Sequence, residues 1–348
     1  MAIAIRSLCK AASAAWDAFV DAHPDGTFFH LAAWAQIIER AFGHRTFYVY
    51  AERDGAITGV LPLAQVKTML FGNTLISVPF CVYGGPLAVD LETEAALSAH
   101  ASSLLERSGA SAVEFRFRGP VGGMNSGTLA MAATLDASWA AAGECATTVI
   151  ADRPVHSQIE MNSDSTEGGW VTRPDLYVTF RKPIEADHDK NLKSIPRKQR
   201  AMVRKGIQNG LRSFTGRDVR QLHGVYAESV RNLGTPVFSR RYLAMLADVF
   251  GRDCDILTVL DGDNPIASVM NFYFRDEVLP YYGGGTAFAR QRAANDFMYW
   301  EVMRRAADRG CRLFDFGRSK LSTGAFDFKK NWGFAPEHLC YRYKLAPG

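Results

Sequence analysis

The chain writes one order of elements twice, and that repetition limits its fold more than any other feature. In the first half a helix is expected over Leu31 to Phe42 and a strand over Thr46 to Ala51. After a turn at Asp54-Gly55, strands follow near Ala56 to Lys67 and Leu75 to Phe80. Gly84-Gly85 comes next, then a helix from about Glu92 to Arg107, Gly109 as its stop, and the strand AVEFRFR. In the second half Asp261-Gly262 precedes NPIASVMNFYF, and VLPYY runs into Gly283-Gly284-Gly285. A helix then covers about Asn295 to Asp308, Gly310 stops it, and CRLFDF follows. Glu114 stands as far beyond Gly109 as Asp315 stands beyond Gly310. Such a pattern reads as a duplicated α/β (α+β) unit, each copy a mostly antiparallel sheet flanked by helices. The expected division is residues 1–118 for the first copy, 119–170 for a linker or insertion with a helix at Leu129 to Ala142, and 171–348 for the second.

With 348 residues, 47% of them apolar and 22% charged, the chain can bury two modest cores. A formal charge of +4 is too small to imply nucleic acid by itself, so the distribution of charge has to carry any such reading. Six cysteines without a CxxC pair or a Cys/His cluster argue against a zinc site and a dense disulfide framework, and eight histidines show no metal-ligand spacing. The opening MAIAIRSLCKAASAAW is too broken for a signal peptide and reads as a strand and a helix. No apolar run approaches the roughly 20 residues that span a bilayer, and a cytoplasmic protein is expected.

Charge is concentrated in NLKSIPRKQRAMVRKGIQNG, Asn191 to Gly210, which holds six cations and no acid. Ser194 can cap, Pro196 suits a first turn, and Asn209-Gly210 can end the helix. On a wheel Arg197, Arg200 and Arg204 form one ridge, Lys198 and Lys205 a second, and Gln199, Val203 and Ile207 a third, apolar stripe. Stacked like charges favour a neutralising anion: phosphates of RNA, of a nucleotide-linked substrate or of a pantetheine-bearing cofactor, or an acidic carrier protein. A solvated face paired to acids elsewhere in the fold is the alternative. In the later helix Met298, Tyr299, Val302, Met303 and Ala306 share one side, and Asn295 is placed to cap its start. Its first-turn N–H groups then stand beside the Gly-rich turn, where an anion can sit, unless the helix is simply an ordinary capped one.

IPRKQRAMVRKG, the two Gly-Gly turns, and FDFGRS followed by FKKNWGF resemble the FemAB/FemX family of tandem acetyltransferase-like (GNAT-type) proteins. The nearest likeness is to FemAB-like proteins associated with exosortase and exopolysaccharide loci, over Thr27 to Arg118 and Tyr177 to Tyr343. The resemblance implies transfer of an aminoacyl or acyl group to an amine of an envelope or exopolysaccharide precursor. The donor is then aminoacyl-tRNA, acyl-coenzyme A or an acyl carrier protein, with the tRNA or carrier on the basic helix 196–208 and no other cofactor. It places Phe328 and Lys329 near the donor's reactive end, Asp315 and Arg318 after the last central strand, and Arg197 and Arg200 in the basic helix. The usual coenzyme A loop, Q/R-x-x-G-x-G/A, is ARQRAANDF here, with Ala293 and Asn295 where small residues are usual, and this hinders close approach of a pyrophosphate.

An activated ester or thioester chiefly needs its attacking amine held in line, and the developing oxyanion needs a fixed donor. Lys329 is expected to stabilise that oxyanion or the donor's 3′ end, Arg318 to hold phosphate or a carboxylate, and Asp315 to orient the amine or to pair with Lys329 or Lys330. Arg204 and Lys205 extend the basic surface. Tyr281 and Tyr282 point to opposite faces of a strand, one ring in the core and the other lining a cleft. His30 is a candidate base, more often a cap or packing residue, and Trp332 a core residue. No Ser/His/Asp or Cys/His pattern suggests a covalent intermediate. A non-catalytic RNA- or precursor-binding protein on a degenerate scaffold is the alternative function.

Overall fold

A computed structural model of the chain describes residues 2–68, 72–119, 169–232 and 236–347. In chain order the elements begin with β1 (Ala4–Ser7), α1 (Ser13–Ala22), α2 (Ala33–Phe42), β2 (Arg45–Arg53), β3 (Ala56–Thr68), β4 (Gly72–Ser77), β5 (Leu87–Ala88), α3 (Leu91–Ser108), β6 (Ala112–Phe117) and β7 (Val171–Arg173). Then come β8 (Tyr177–Pro183), α4 (His188–Ser194), α5 (Arg197–Gln208), β9 (Arg212–Gly216), α6 (Val219–Asn232), α7 (Arg240–Phe250), β10 (Cys254–Asp261), β11 (Asn264–Phe274) and β12 (Glu277–Gly285). The chain ends with α8 (Ala289–Arg292), α9 (Ala294–Asp308), β13 (Leu313–Lys320), α10 (Gly324–Asn331), β14 (Pro336–His338) and β15 (Cys340–Leu345). The expected helix at Leu129 to Ala142 lies outside the described residues.

Two compact units divide these elements. The first sheet has the order β1-β2-β3-β4-β6-β15-β7, with β5 against β3; the second has β14-β8-β13-β12-β11-β10-β9. Each is mostly antiparallel, with one central parallel pair, β4/β6 in the first and β12/β13 in the second. A helical crossover joins each parallel pair, as parallel neighbours require. The sequence reading counted Val171–Arg173 and Cys340–Leu345 with the second copy, yet β15 pairs β6 and β7 and so belongs to the first sheet.

Local signals set most boundaries. Asp90 caps α3 by accepting the Thr93 N–H at 2.8 Å, and Gly109 ends that helix in a left-handed conformation (φ 64°). The Leu75 to Phe80 strand stops early, at Ser77, because Val78 and Phe80 adopt positive φ. In the second unit the glycine triplet is no loop. Gly283, Gly284 and Gly285 lie inside β12, opposite Val269, Ser268 and Ala267 of β11. A Cβ on each would come within 2.6 Å of Val269, 2.3 Å of Ser229 and 2.5 Å of Asn295, so the three glycines let β11, α6 and α9 close on the strand. The second core gathers Phe180, Val203, Phe297, Met303, Phe314, Phe316 and Trp332 around this sheet, and the first gathers Leu61, Leu63, Leu97, Phe115 and Trp170.

Candidate functional site

β12 and β13 are joined over two register positions only, Glu277 with Leu313 and Val278 with Phe314. Beyond them the strands part. β13 carries an irregularity between Asp315 and Arg318, where Gly317 turns to φ 68°, and β12 carries a bulge that places Tyr281 between the pairs Met270/Tyr282 and Asn271/Pro280. The opening faces the carboxyl ends of the parallel pair, where α/β sheets receive ligands.

Ionic contacts buried beside this opening fix its geometry. The Asp315 carboxylate lies 3.4 Å from Arg181 Nε and accepts the Gly317 N–H at 2.6 Å. Arg181 also donates to Glu277 at 2.5 Å, so one guanidinium serves acids on two neighbouring strands. Lys329, on α10, is 1% exposed and donates to the carbonyls of Gly317 (3.1 Å) and Arg318 (3.0 Å). Its charge thus sits on the part of β13 that has left β12. Phe328 is half-buried among Tyr299, Phe316 and Trp332, and the Arg318 guanidinium lies 4.4 Å from the centre of the Tyr177 ring.

At the start of α9 the chain differs from expectation. Ala293, not Asn295, precedes the helix, in a left-handed conformation, and Asn295 is its second residue, with a buried Oδ1 that has no hydrogen-bond partner among the described residues. Asp296 follows. Its buried carboxylate accepts the Trp332 indole N–H at 3.0 Å, and burial pushes it up to about 6 against the pull of that bond and of its own backbone N–H. An internal anion therefore already occupies the positive end of α9.

Packed on α9 is α5, whose Gly206 sits so close to Phe297 that a Cβ would meet it at 2.7 Å. Val203 and Gly206 form the buried face, whereas Ile207, placed in the apolar stripe by periodicity, is 50% exposed. Ser194 ends the preceding helix rather than capping α5. Arg197, Lys198, Arg204 and Lys205 are exposed and Arg200 is half-buried; among the described residues none of the five pairs with a carboxylate. The paired face weighed from the sequence therefore has no counterpart among the described residues.

Residues 190–330 match the family described as an acetyltransferase (GNAT) domain. The matched residues all lie in the second unit. Among solved structures, the crystal structure of FemX is 15% identical over 97% of this chain and 96% of its own, with a TM-score of 0.68. A tandem GNAT protein from the clavulanic acid biosynthesis pathway is 11% identical over all of both chains, with a TM-score of 0.56. The L-PGS structure from Bacillus licheniformis is 12% identical over 96% and 92%, with a TM-score of 0.54. These likenesses establish two sheets of the tandem GNAT kind. No curated protein matches the chain in sequence.

Within the second unit, the structure brings Asp315, Arg318 and Lys329 together at β13 and keeps Arg197, Arg200, Arg204 and Lys205 on α5. It does not divide the tyrosines between core and cleft: both are buried, Tyr282 bonded through its hydroxyl to Tyr242 at 2.8 Å, because α6 and α7 cover that face. Asp296 and Arg181 escaped sequence reasoning. For Asp296 a signal existed, since it falls one turn before Tyr299 on the buried side of the helix. Burial pushes the Cys254 and Cys311 thiols up to about 12 and about 11, which leaves neither a ready nucleophile. Among the described residues no helix is long and apolar enough to cross a membrane, and no group of three or more His, Cys, Asp or Glu is placed to hold a metal ion.

The Asp296 shift has a measurable consequence. Its folded value of about 6 stands above the ordinary 3.8, so the stability linked to its proton is complete below that value and lost as pH rises through about 6. Asp296→Asn keeps an acceptor for Trp332 without the charge. It is expected to stabilise the second unit by about 2–3 kcal/mol near neutrality and by only about 0.5 kcal/mol near pH 4. Urea midpoints at the two pH values check this, and equal gains at both would contradict it.

Proposed function

We propose that the chain transfers an acyl or aminoacyl group from an activated ester or thioester to an amine, with the donor's polyanionic carrier lying along α5. One observation carries the reading: on an acetyltransferase domain, five α5 cations have no acid partner among the described residues, while Asp296 already fills the α9 N-terminus. A carrier read through its backbone phosphates or acidic side chains suits such a ridge, since arginine forks match both. A coenzyme A pyrophosphate held at α9 would meet the Asp296 carboxylate and the Ala293 and Asn295 side chains instead.

In the reaction the amine nitrogen attacks the donor carbonyl, the C–O or C–S bond breaks, and the proton shed by the amine returns to the leaving oxygen or sulfur. The opening between β12 and β13 holds the carbonyl. Lys329 supplies positive charge toward the oxyanion, and Arg318 holds phosphate or carboxylate. Asp315, committed to Arg181 and Gly317, keeps β13 in its bent form rather than handling the amine directly. The acceptor class follows the resemblance: an amine of an envelope or exopolysaccharide precursor.

The test is turnover of radiolabelled donors by the purified chain, with aminoacyl-tRNA, acyl carrier protein and acyl-coenzyme A offered in parallel. Transfer from one of the two macromolecular donors is expected, falling steeply with salt, and ribonuclease sensitivity separates them. In Arg200→Glu/Arg204→Glu, KM for that donor should rise about tenfold or more with kcat nearly kept. Efficient use of acyl-coenzyme A alone, unaffected by the double reversal, would sink the carrier reading. No turnover with any donor, but saturable RNA binding, would favour a binding protein on the same scaffold.

A further inference from the structure

In the first unit a cavity of about 230 Å3 lies past the carboxyl ends of the parallel pair β4/β6, lined among others by Thr27, His30, Gly84, Glu94 and Arg118. The turn that leads to Gly84, outside the lining itself, is strained. Val78 and Phe80 hold positive φ (49° and 69°), which costs about 1–3 kcal/mol each for such side chains and commonly marks sites held open for a purpose. The strain is fixed by Gly84 N–H to Arg116 O at 2.7 Å, by Arg116 Nη1 to Cys81 O at 2.9 Å and by Arg116 N–H to Ser77 Oγ at 3.0 Å.

His30 is 1% exposed, and its Nε2 has no hydrogen-bond partner among the described residues. Its Nδ1 lies 2.8 Å from Thr27 Oγ1, and that buried hydroxyl makes no other hydrogen bond among them. The hydroxyl proton must go to Nδ1, because the other tautomer would bury it unbonded at a cost of about 1–3 kcal/mol. Nε2 then carries the ring hydrogen and offers it to the cavity, near the Gly84 and Gly85 carbonyls but short of bonding them. Burial first, and the Arg118 charge second, hold the imidazole down at about 3, so it is a neutral donor. Facing it, Glu94 pairs with Arg342 at 3.4 Å, Asp25 is exposed at the mouth, and His23 is engaged by the Asp25 N–H and the Ala88 carbonyl.

We propose that this cavity is a binding site for a small monocarboxylate, whose oxygens accept from His30 Nε2–H and lie against the Arg118 guanidinium. A neutral N–H donor beside a guanidinium suits a monoanion, whereas a phosphate dianion would bring more negative charge against Glu94 and Asp25. The remaining volume takes a hydroxyl or amide group that donates to the Gly84 carbonyl.

The test is 15N imidazole NMR of the full chain titrated with glycolate, its neutral isostere glycolamide, and methyl phosphate. Glycolate is expected to shift the His30 Nε2–H resonance saturably, with affinity unchanged from about pH 6 to about pH 8 because the ring stays neutral. The other two probes, and glycolate on Arg118→Gln, should bind about tenfold more weakly or worse. His30→Gln, which keeps an N–H donor, should retain glycolate binding read by calorimetry, while His30→Leu should lose it. No saturable shift, equal binding of methyl phosphate, or indifference to Arg118→Gln overturns the proposal.

Discussion

Arg181→Met is expected to destabilise the second unit by about 3–5 kcal/mol, the scale on which removing one member of a buried ion pair leaves the others uncompensated. Two carboxylates depend on this guanidinium, Glu277 on β12 at 2.5 Å and Asp315 on β13 at 3.4 Å, and the Asp315 side chain is fully buried. Methionine replaces the volume of the arginine stem but leaves a buried and a mostly buried carboxylate without the guanidinium they share. The loss should shrink in acid, where protonating either carboxylate removes an uncompensated charge, so urea midpoints of variant and parent converge as pH falls. Arg181→Lys should recover only part of it, because an ammonium cannot reach both acids as a fork. A loss below about 1 kcal/mol at neutral pH would mean that the acids find water or other partners, and that the cluster does not fix the bend of β13.

The corresponding acid of the first unit obeys the same logic. Glu114 pairs with Arg116 inside β6, and both are buried. The recurrence of an acid after each helix stop was legible in the sequence; its meaning was not. Spacing gave two acids at matching places, but their arginines come from β6 itself in one copy and from β8 in the other. No periodicity predicts a partner as far off in the chain as Arg181 is from Asp315.

Other limits have equally specific causes. The alternation in CYRYKL defines a strand but not its neighbour, because a period of two is satisfied in either sheet; β15 joins β6 by long-range pairing alone. Regular alternation placed Tyr281 and Tyr282 on opposite faces, and the bulge together with the cover of α6 and α7 buried both. A valine in left-handed backbone runs against local preference, so the early end of β4 is imposed by the Gly84 to Arg116 bond. Where hydrophobic period or a cap decides, as in α3, the body of α9, the β2/β3 hairpin and β11, sequence and structure agree to within a few residues.

For Lys329→Met a fall in kcat of about 10²–10³ is expected, with KM for the donor little changed, as when one fixed oxyanion donor is removed. The ammonium is sealed from water and anchored to two carbonyls of the bent β13, so its field at the neighbouring opening is only weakly screened. Methionine fills the space but leaves both carbonyls without that donor, so a stability loss accompanies the kinetic one, at about 1–3 kcal/mol per buried group. The two effects separate by assaying well below the melting point of the variant, where the folded fraction is complete. Lys329→Arg, which keeps the charge at a shifted position, should recover part of kcat. Lys330→Met, exposed on the same helix, should change little. If the folded methionine variant turns over within a few-fold of the parent, Lys329 is a strut that holds α10 to β13, and the charge at the reacting carbonyl must come from backbone N–H groups at the opening instead.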